Sequence, residues 1–291
     1  MHARTVFASV TWPSLATAGF LAVLLSPATA SGQALPPTVE ITGIVRDFYP
    51  SHPDFDVVPN EGWGHYMWNI DPVLGVDGKP IFVGGGNKVV KLLPGTDKDF
   101  RPICWTLIDT SIGDIPPVKG NPDNGAITDA ITFATWFRDI PGINLSMAYT
   151  VTATLKTDPL NPYYGMYECN ISQFYPIDGL LLGNDYTGYN NFFTFEIVSD
   201  FTYDASANQE LMFKSDDDVW VFINGQLVAD LGGLNGSPEQ WVPLGRLGLV
   251  DGQTYPVHMF SANRTGGVKF HLVTNLVMGN PAPMTVSATF D

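Results

Sequence analysis

Val219-Trp-Val-Phe-Ile223 followed by Asn224-Gly225 constrains the fold more than any other stretch of this chain. Successive side chains of an extended strand point to opposite faces, so Val219, Val221 and Ile223 share one face and Trp220 and Phe222 the other. A strand with two apolar faces must be covered on both, which places it centrally in a layered β structure. Asn-Gly between this run and Leu227-Val-Ala-Asp230 predicts a type I′ hairpin, because both central positions of that turn need positive φ. Other strand-like runs are Thr38–Val45, Ala148–Leu155, Asn191–Val198, Glu210–Lys214, Gln253–Phe260 and Val268–Thr274. Short strands separated by turn residues predict an antiparallel β-sandwich.

Composition points the same way. Charged residues make up 15% of the 291 positions, with 29 Gly, 23 Pro and 12% aromatics. Against a typical charged share of about 25%, this excludes long surface helices and coiled coils. From Arg46 to Gly125 the chain is rich in Pro, Gly, Asp and Asn around short apolar runs, which reads as long loops with a few short strands. A helical turn or two is expected only around Asp129 to Phe137. With no repeat and no linker after residue 37, the expectation is one all-β domain over 38–291, an antiparallel β-sandwich with long loop insertions and little helix.

Residues 1–30 read as a secretion signal peptide. His2 and Arg4 precede the apolar run Leu15 to Leu25, and Ala28-Thr29-Ala30 has the small-residue form of a cleavage site. Residues 31–37 form a linker. No later segment is long and apolar enough to span a bilayer, so a secreted, extracellular or cell-surface product is expected, with the periplasm a further possibility. The 14 basic against 29 acidic residues give a net charge of −15, which argues against a nucleic-acid partner. In an oxidising compartment Cys104 and Cys169 are expected to form a disulfide, two buried free thiols being the alternative.

Asp216-Asp217-Asp218 lies between two apolar strand runs and so occupies a tight turn. Adjacent carboxylates repel unless a cation neutralises them, and a hard oxygen-liganded ion, Ca²⁺ before Mg²⁺, is the natural one. A solvated acidic turn built on Asx hydrogen bonds is the plain alternative.

Phe213 to Gly233 resembles the central block of the fibro-slime family, a branch of the protective-antigen-type β-sandwich domains. Gly43 to Phe55, Leu74 to Pro80, Pro141 to Asn144 and Phe174 to Gly179 are similar to further blocks of that family, in the same order. The resemblance implies an adhesion or matrix domain related to yeast flocculin and adhesin lectins. In those lectins two consecutive Asp, joined by a cis peptide, hold a Ca²⁺ that binds vicinal sugar hydroxyls. The pattern implies Asp216 and Asp217 as the metal pair, with Asp218 standing where the lectins have Gly, as a further ligand, an outer hydrogen-bond acceptor or a hairpin residue. The lectins complete the shell from a second loop, implying Ser261 to Gly267 and its Asn263. Ala262-Asn-Arg264 departs there from the Ala-Glu-Arg common in fibro-slime members. Arg264 and Trp241 are candidate ligand-binding rim residues.

No enzyme is expected. Glu61, Glu168 and Glu196 are carboxylates without a spacing that selects a glycosidase pair. His52, His65, His258 and His271 form no compact zinc pattern, and no nucleophile elbow, phosphate loop or dinucleotide fingerprint occurs. The expected function is a non-enzymatic, Ca²⁺-dependent carbohydrate-binding or adhesion domain, with glycans, matrix or cell-surface polymers as partners. The alternative is a structural matrix component in which the metal only rigidifies a loop, and a glycan hydrolase comes third.

Overall fold

Ten strands hydrogen-bond side by side into one antiparallel ribbon that wraps around a shared core. The computed structural model describes residues 35–267 and 269–279, so the expected signal peptide and residues 31–34 of the linker lie outside the described residues. Within them the strands are β1 (Thr38–Phe48), β2 (Tyr66–Met67), β3 (Asn87–Val89), β4 (Lys119–Pro122), β5 (Asn144–Leu155), β6 (Tyr167–Ile171), β7 (Phe193–Thr202), β8 (Glu210–Ser215), β9 (Asp218–Ile223), β10 (Gln226–Leu231), β11 (Glu239–Pro243), β12 (Thr254–Asn263) and β13 (Phe270–Thr274). The large sheet runs β10-β9-β12-β7-β1-β5-β6-β13-β8-β11, and β2, β3 and β4 form a separate small sheet. Every neighbour pair of the large sheet is antiparallel.

The two apolar faces of β9 serve two cores. Val219, Val221 and Ile223 enter the inner core with Val45 of β1, Phe195 of β7, Phe213 of β8, Val257 of β12 and Leu272 of β13. Trp220 and Phe222 enter an outer core with Phe48, Phe260 and residues of the long connections, including Phe55, Ile70, Phe133 and Trp136. The insertion between β1 and β5 thus packs as a lid on the outer face of the sheet. Its one α-helix, α1 (Ala130–Phe133), is a single turn capped by Asp129, whose carboxylate accepts from the Ile131 and Thr132 N–H groups while the Thr132 hydroxyl bonds back.

The Asn224-Gly225 turn has φ of 51° and 75°, as the hairpin reading requires. Gly43 permits the close approach of β1 to β7: a Cβ there would fall 2.3 Å from the Glu196 carbonyl oxygen. Two strands carry an apolar signal too short or too broken to be read from the sequence. In β6 a short run alternates Tyr167 and Cys169 inward with polar residues outward. In β11 one of the two inward positions is the buried polar Gln240, which breaks the apolar signal.

The expected disulfide is not formed. Cys104 and Cys169 are both free and buried, one in the outer core and the other in the inner core. The Thr106 hydroxyl donates to the Cys104 Sγ at 3.1 Å. Burial pushes the Cys104 thiol up to about 12 and the Cys169 thiol up to about 11, so neither supplies thiolate at neutral pH. Alkylation of the native protein at pH 8 should therefore leave both thiols intact, and unfolding in urea without reductant should release two titratable thiols. Fewer than two would restore the disulfide.

Candidate functional site

The turn from β8 to β9 carries the acidic triplet against the loop that joins β12 to β13. Asp216 N–H donates to the Lys269 carbonyl at 3.1 Å, and the Ser215 hydroxyl donates to the same oxygen at 2.7 Å. Asp217 has φ of 56°, which turns the chain sharply between the strands. The Asp216–Asp217 peptide is trans, unlike that of the lectins, as are all peptides of the described residues.

The three carboxylates have three different environments. Asp216 is half-buried, and its Oδ1 accepts from the Ser237 hydroxyl. Asp217 is buried, and its Oδ2 accepts from the Arg264 N–H at 2.7 Å and the Thr265 N–H at 3.0 Å. Its Oδ1 has only the Thr265 hydroxyl at 3.5 Å. Burial pushes the Asp217 carboxyl up to about 7 despite the nearby guanidinium of Arg264.

Asp218 and Arg264 both need correction. Neither side chain has any solvent exposure, and Arg264 Nε donates to Asp218 Oδ2 at 2.7 Å. The other Asp218 oxygen accepts from the Gly233 N–H at 2.5 Å. Asp218 is therefore spent on an internal ion pair, with burial pushing its carboxyl up and the guanidinium pulling it back. Arg264 is a core residue and not a rim contact. Its remaining donors reach the carbonyls of Asp54, Gly125 and Ala126, and its guanidinium lies 5.0 Å from the Trp136 ring centre. Among the described residues no three His, Cys, Asp or Glu side chains converge as a metal cluster, so the triplet is not a three-carboxylate cage.

Asn263 ends β12 beside the turn. It is buried, its Nδ2 donates to the Asn191 carbonyl at 2.5 Å, and its Oδ1 has no hydrogen-bond partner. Asp216, Ser261 and Asn263 line one small cavity with Lys269. Asp216 and Asn263 are the carboxylate and amide residues of that cavity, Phe174, Phe193 and Phe270 form part of its wall, and Asp217 lies beside it in the turn. A buried carbonyl oxygen without a donor is costly unless a cation or water meets it, and this donor chemistry fits a hard divalent ion.

Trp241 belongs elsewhere. It pairs with Met212 in the β11–β8 register, four residues and roughly 13 Å along the strand from Asp216. Arg101 sits 5.4 Å over its ring. Tyr186 is an exposed aromatic connected to the site: its hydroxyl donates to Asp56 Oδ1 at 2.9 Å, and Asp56 N–H donates to the Arg264 carbonyl at 3.0 Å. A tyrosine in a Gly/Asn-rich loop carries no spacing signal, so the sequence offered no way to find it.

The carboxylates weighed for hydrolysis are separately engaged. Glu196 is buried between Arg46 and Lys79, Glu168 pairs with Lys156 and His271, and Glu61 accepts from Asn121. His52 bonds Thr135 at 3.0 Å, and His65 bonds the Asp230 carbonyl at 2.7 Å.

Residues 150–288 match the PA14 domain, so the turn and the Asn263 loop both fall inside the matched region. The chain is 28% identical to Protein psiD of Dictyostelium discoideum over 269 residues, covering 88% of this chain and 45% of that one. It is 34% identical to Protein psiQ over 190 residues, covering 59% and 19%, and 37% identical to Protein psiC over 155 residues, covering 50% and 29%, both from the same organism. The chain spans less than half the length of these relatives. No helix among the described residues is long and apolar enough to cross a membrane, which leaves β-barrels untested.

Replacing Arg264 by Met leaves Asp218 buried without its partner and should cost about 3–5 kcal/mol of unfolding free energy. Adding Asp218→Asn removes the orphaned charge and should recover part of that loss. Urea denaturation of the three proteins reads both effects, and a loss below about 1 kcal/mol in the single variant would contradict the ion-pair assignment.

Proposed function

We propose that this chain is a non-enzymatic, secreted or cell-surface carbohydrate-binding and adhesion domain of fibro-slime type, using a Ca²⁺ ion held at the Asp216-Asp217 turn. The observation that carries this reading is Asn263, whose buried Oδ1 has no donor and which lines the same small cavity as Asp216, next to the loop that grips Asp217. Asp216, Asp217 and Asn263 would hold the ion. When bound, Ca²⁺ supplies open coordination positions that accept neighbouring hydroxyls of a sugar. The protein's own contribution is rigidity. The N–H groups of Arg264 and Thr265 fix the Asp217 carboxylate, Asn235 holds the Asp217 carbonyl at 3.1 Å, and the buried Asp218–Arg264 pair anchors both loops from behind. The match of residues 150–288 to the PA14 domain and the similarity to the psi proteins support an adhesion-type role. Glycans, matrix or cell-surface polymers are the proposed partners.

Thermal unfolding with Ca²⁺ and with a chelator tests the metal, and a glycan array tests the sugar. At Ca²⁺ one hundredfold above Kd, linkage gives about 2.7 kcal/mol, or a midpoint rise of roughly 5–10 °C for a chain of this size. The double variant Asp216→Asn/Asp217→Asn should lose that rise and lose glycan binding together. No rise in the parent protein removes the metal reading. A rise without any bound glycan makes the ion a loop-stiffening element of a matrix component.

A further inference from the structure

A groove of about 670 Å³ opens between the small sheet and the segment that leads into β11. That volume lies within the ~300–1,000 Å³ typical of sites for small ligands. Trp63 forms part of its wall and is 57% exposed, an uncovered aromatic face beside a concave surface. Its loop is tied to the opposite wall by the Gly64 N–H, which donates to the Leu234 carbonyl at 2.7 Å.

The groove also gathers lysines that have no ion-pair partner among the described residues. Lys79, Lys98, Lys156 and Lys214 sit in ion pairs. Of the other four lysines, Lys88, Lys91 and Lys119 belong to the small sheet and its connection, and none of the three has a carboxylate at ion-pair distance among the described residues. Lys88 and Lys91 line the groove, and Lys119 lies 4.5 Å over the Trp68 ring. Lys88 is steered by Glycine at position 64, where a Cβ would fall 2.5 Å from its Cε, and its ammonium donates to the Glu61 carbonyl. The one carboxylate residue lining the groove, Glu239, is 3.6 Å from Lys214.

A second, independent observation points to a ligand. Gln240 lines the groove, is 1% exposed, and gives its Oε1 to the Asp230 N–H at 2.7 Å. Its Nε2 is buried with no acceptor. A buried amide donor without an acceptor is costly, and an oxygen-rich ligand in the groove would supply one.

From this geometry we infer that the groove is a second ligand site, for an oligosaccharide bearing carboxylate or sulfate groups. The face of Trp63 matches the apolar side of a pyranose ring, Lys88 and Lys91 match the anionic substituents, and Gln240 offers a donor to a ring or carboxylate oxygen. None of these contacts uses a metal, so the site is separate in its chemistry from the Ca²⁺ reading. It is next to that turn in space: Ser237 lines the groove and donates to Asp216, and Asn235 lines it and donates to the Asp217 carbonyl.

The test is titration of the full chain, in chelator, with a galacturonic acid trimer, a sulfated heparin-derived tetrasaccharide, a neutral cellotriose and an oligoglutamate peptide, read by Trp fluorescence and calorimetry. At least one acidic saccharide should bind, cellotriose should not, and raised salt should weaken the complex. Trp63→Ala, at an exposed position, and Lys88→Gln/Lys91→Gln should each weaken it about tenfold or more, while replacing the chelator by Ca²⁺ leaves it unchanged. Which of the two acidic saccharides binds identifies carboxylate or sulfate as the recognised group. Failure of both overturns the proposal, as does oligoglutamate binding with equal strength and no loss in Trp63→Ala. Binding that appears only when Ca²⁺ replaces the chelator would also overturn it and return the saccharide to the metal turn.

Discussion

The Asp218–Arg264 pair is the interaction on which the rest depends. Two full charges sit with no solvent exposure, and the Arg264 guanidinium spends its donors on one carboxylate and three main-chain carbonyls. Such a pair adds little net stability over apolar residues of equal size, but breaking half of it is expensive. Its value is in specification. Asp218 starts β9, Arg264 follows β12, and the accepting carbonyls of Asp54, Gly125 and Ala126 all belong to the insertion. One side chain therefore registers the insertion, the sandwich and the turn against one another. Gly233 completes the joint: with φ of 92° and a Cβ position 2.3 Å from the Tyr66 ring, it admits no other residue without a shift.

A related device joins the two ends of the strand ribbon. β10 and β11 are the terminal strands, and the contact between them includes a side chain: Gln240 of β11 accepts from the Asp230 N–H of β10. The Asp230 carboxylate in turn accepts from the Trp68 N–H and from the indoles of Trp105 and Trp220, with burial pushing it up to about 6. Buried polar groups are gathered at these two joints and at the Arg46–Glu196–Lys79 cluster, and Gln240 Nε2 and Asn263 Oδ1 are among the buried side-chain atoms of the described residues left without a partner. Those two atoms belong to residues that line the groove and the small cavity at the turn, where ligands are proposed.

Much of the fold was legible because β side-chain alternation is a local property. The double-faced strand, the Asn-Gly hairpin, the loop-rich insertion and the Asp129-capped turn all follow from neighbours within ten residues. The site was legible only in part. Three adjacent Asp look equivalent in sequence, yet their roles are set by Arg264, Ser237 and Thr265, which lie 20 to 50 residues away. Arg264 reads as a surface cation for the same reason, since nothing nearby announces that a buried carboxylate and three carbonyls await it. The cysteines illustrate the converse: export favours a disulfide in general, but strand order here puts Cys104 and Cys169 in different cores.

Strand order also determines how the domain presents its turn. The register neighbours Thr38↔Thr154, Thr154↔Glu168 and Glu168↔Val273 run across β1, β5, β6 and β13, so the polypeptide enters the sheet and leaves it at the same end, about 14 Å apart at three strand spacings. Phe48, Ser215, Asp218 and Asn263 mark the opposite end. Asp216, Asp217 and Asn263 therefore lie at the end of the sheet opposite the start of β1 and the end of β13. The start of β1 and the turn proposed to hold the ion are held apart by the length of an eleven-residue strand, some 36 Å of sheet.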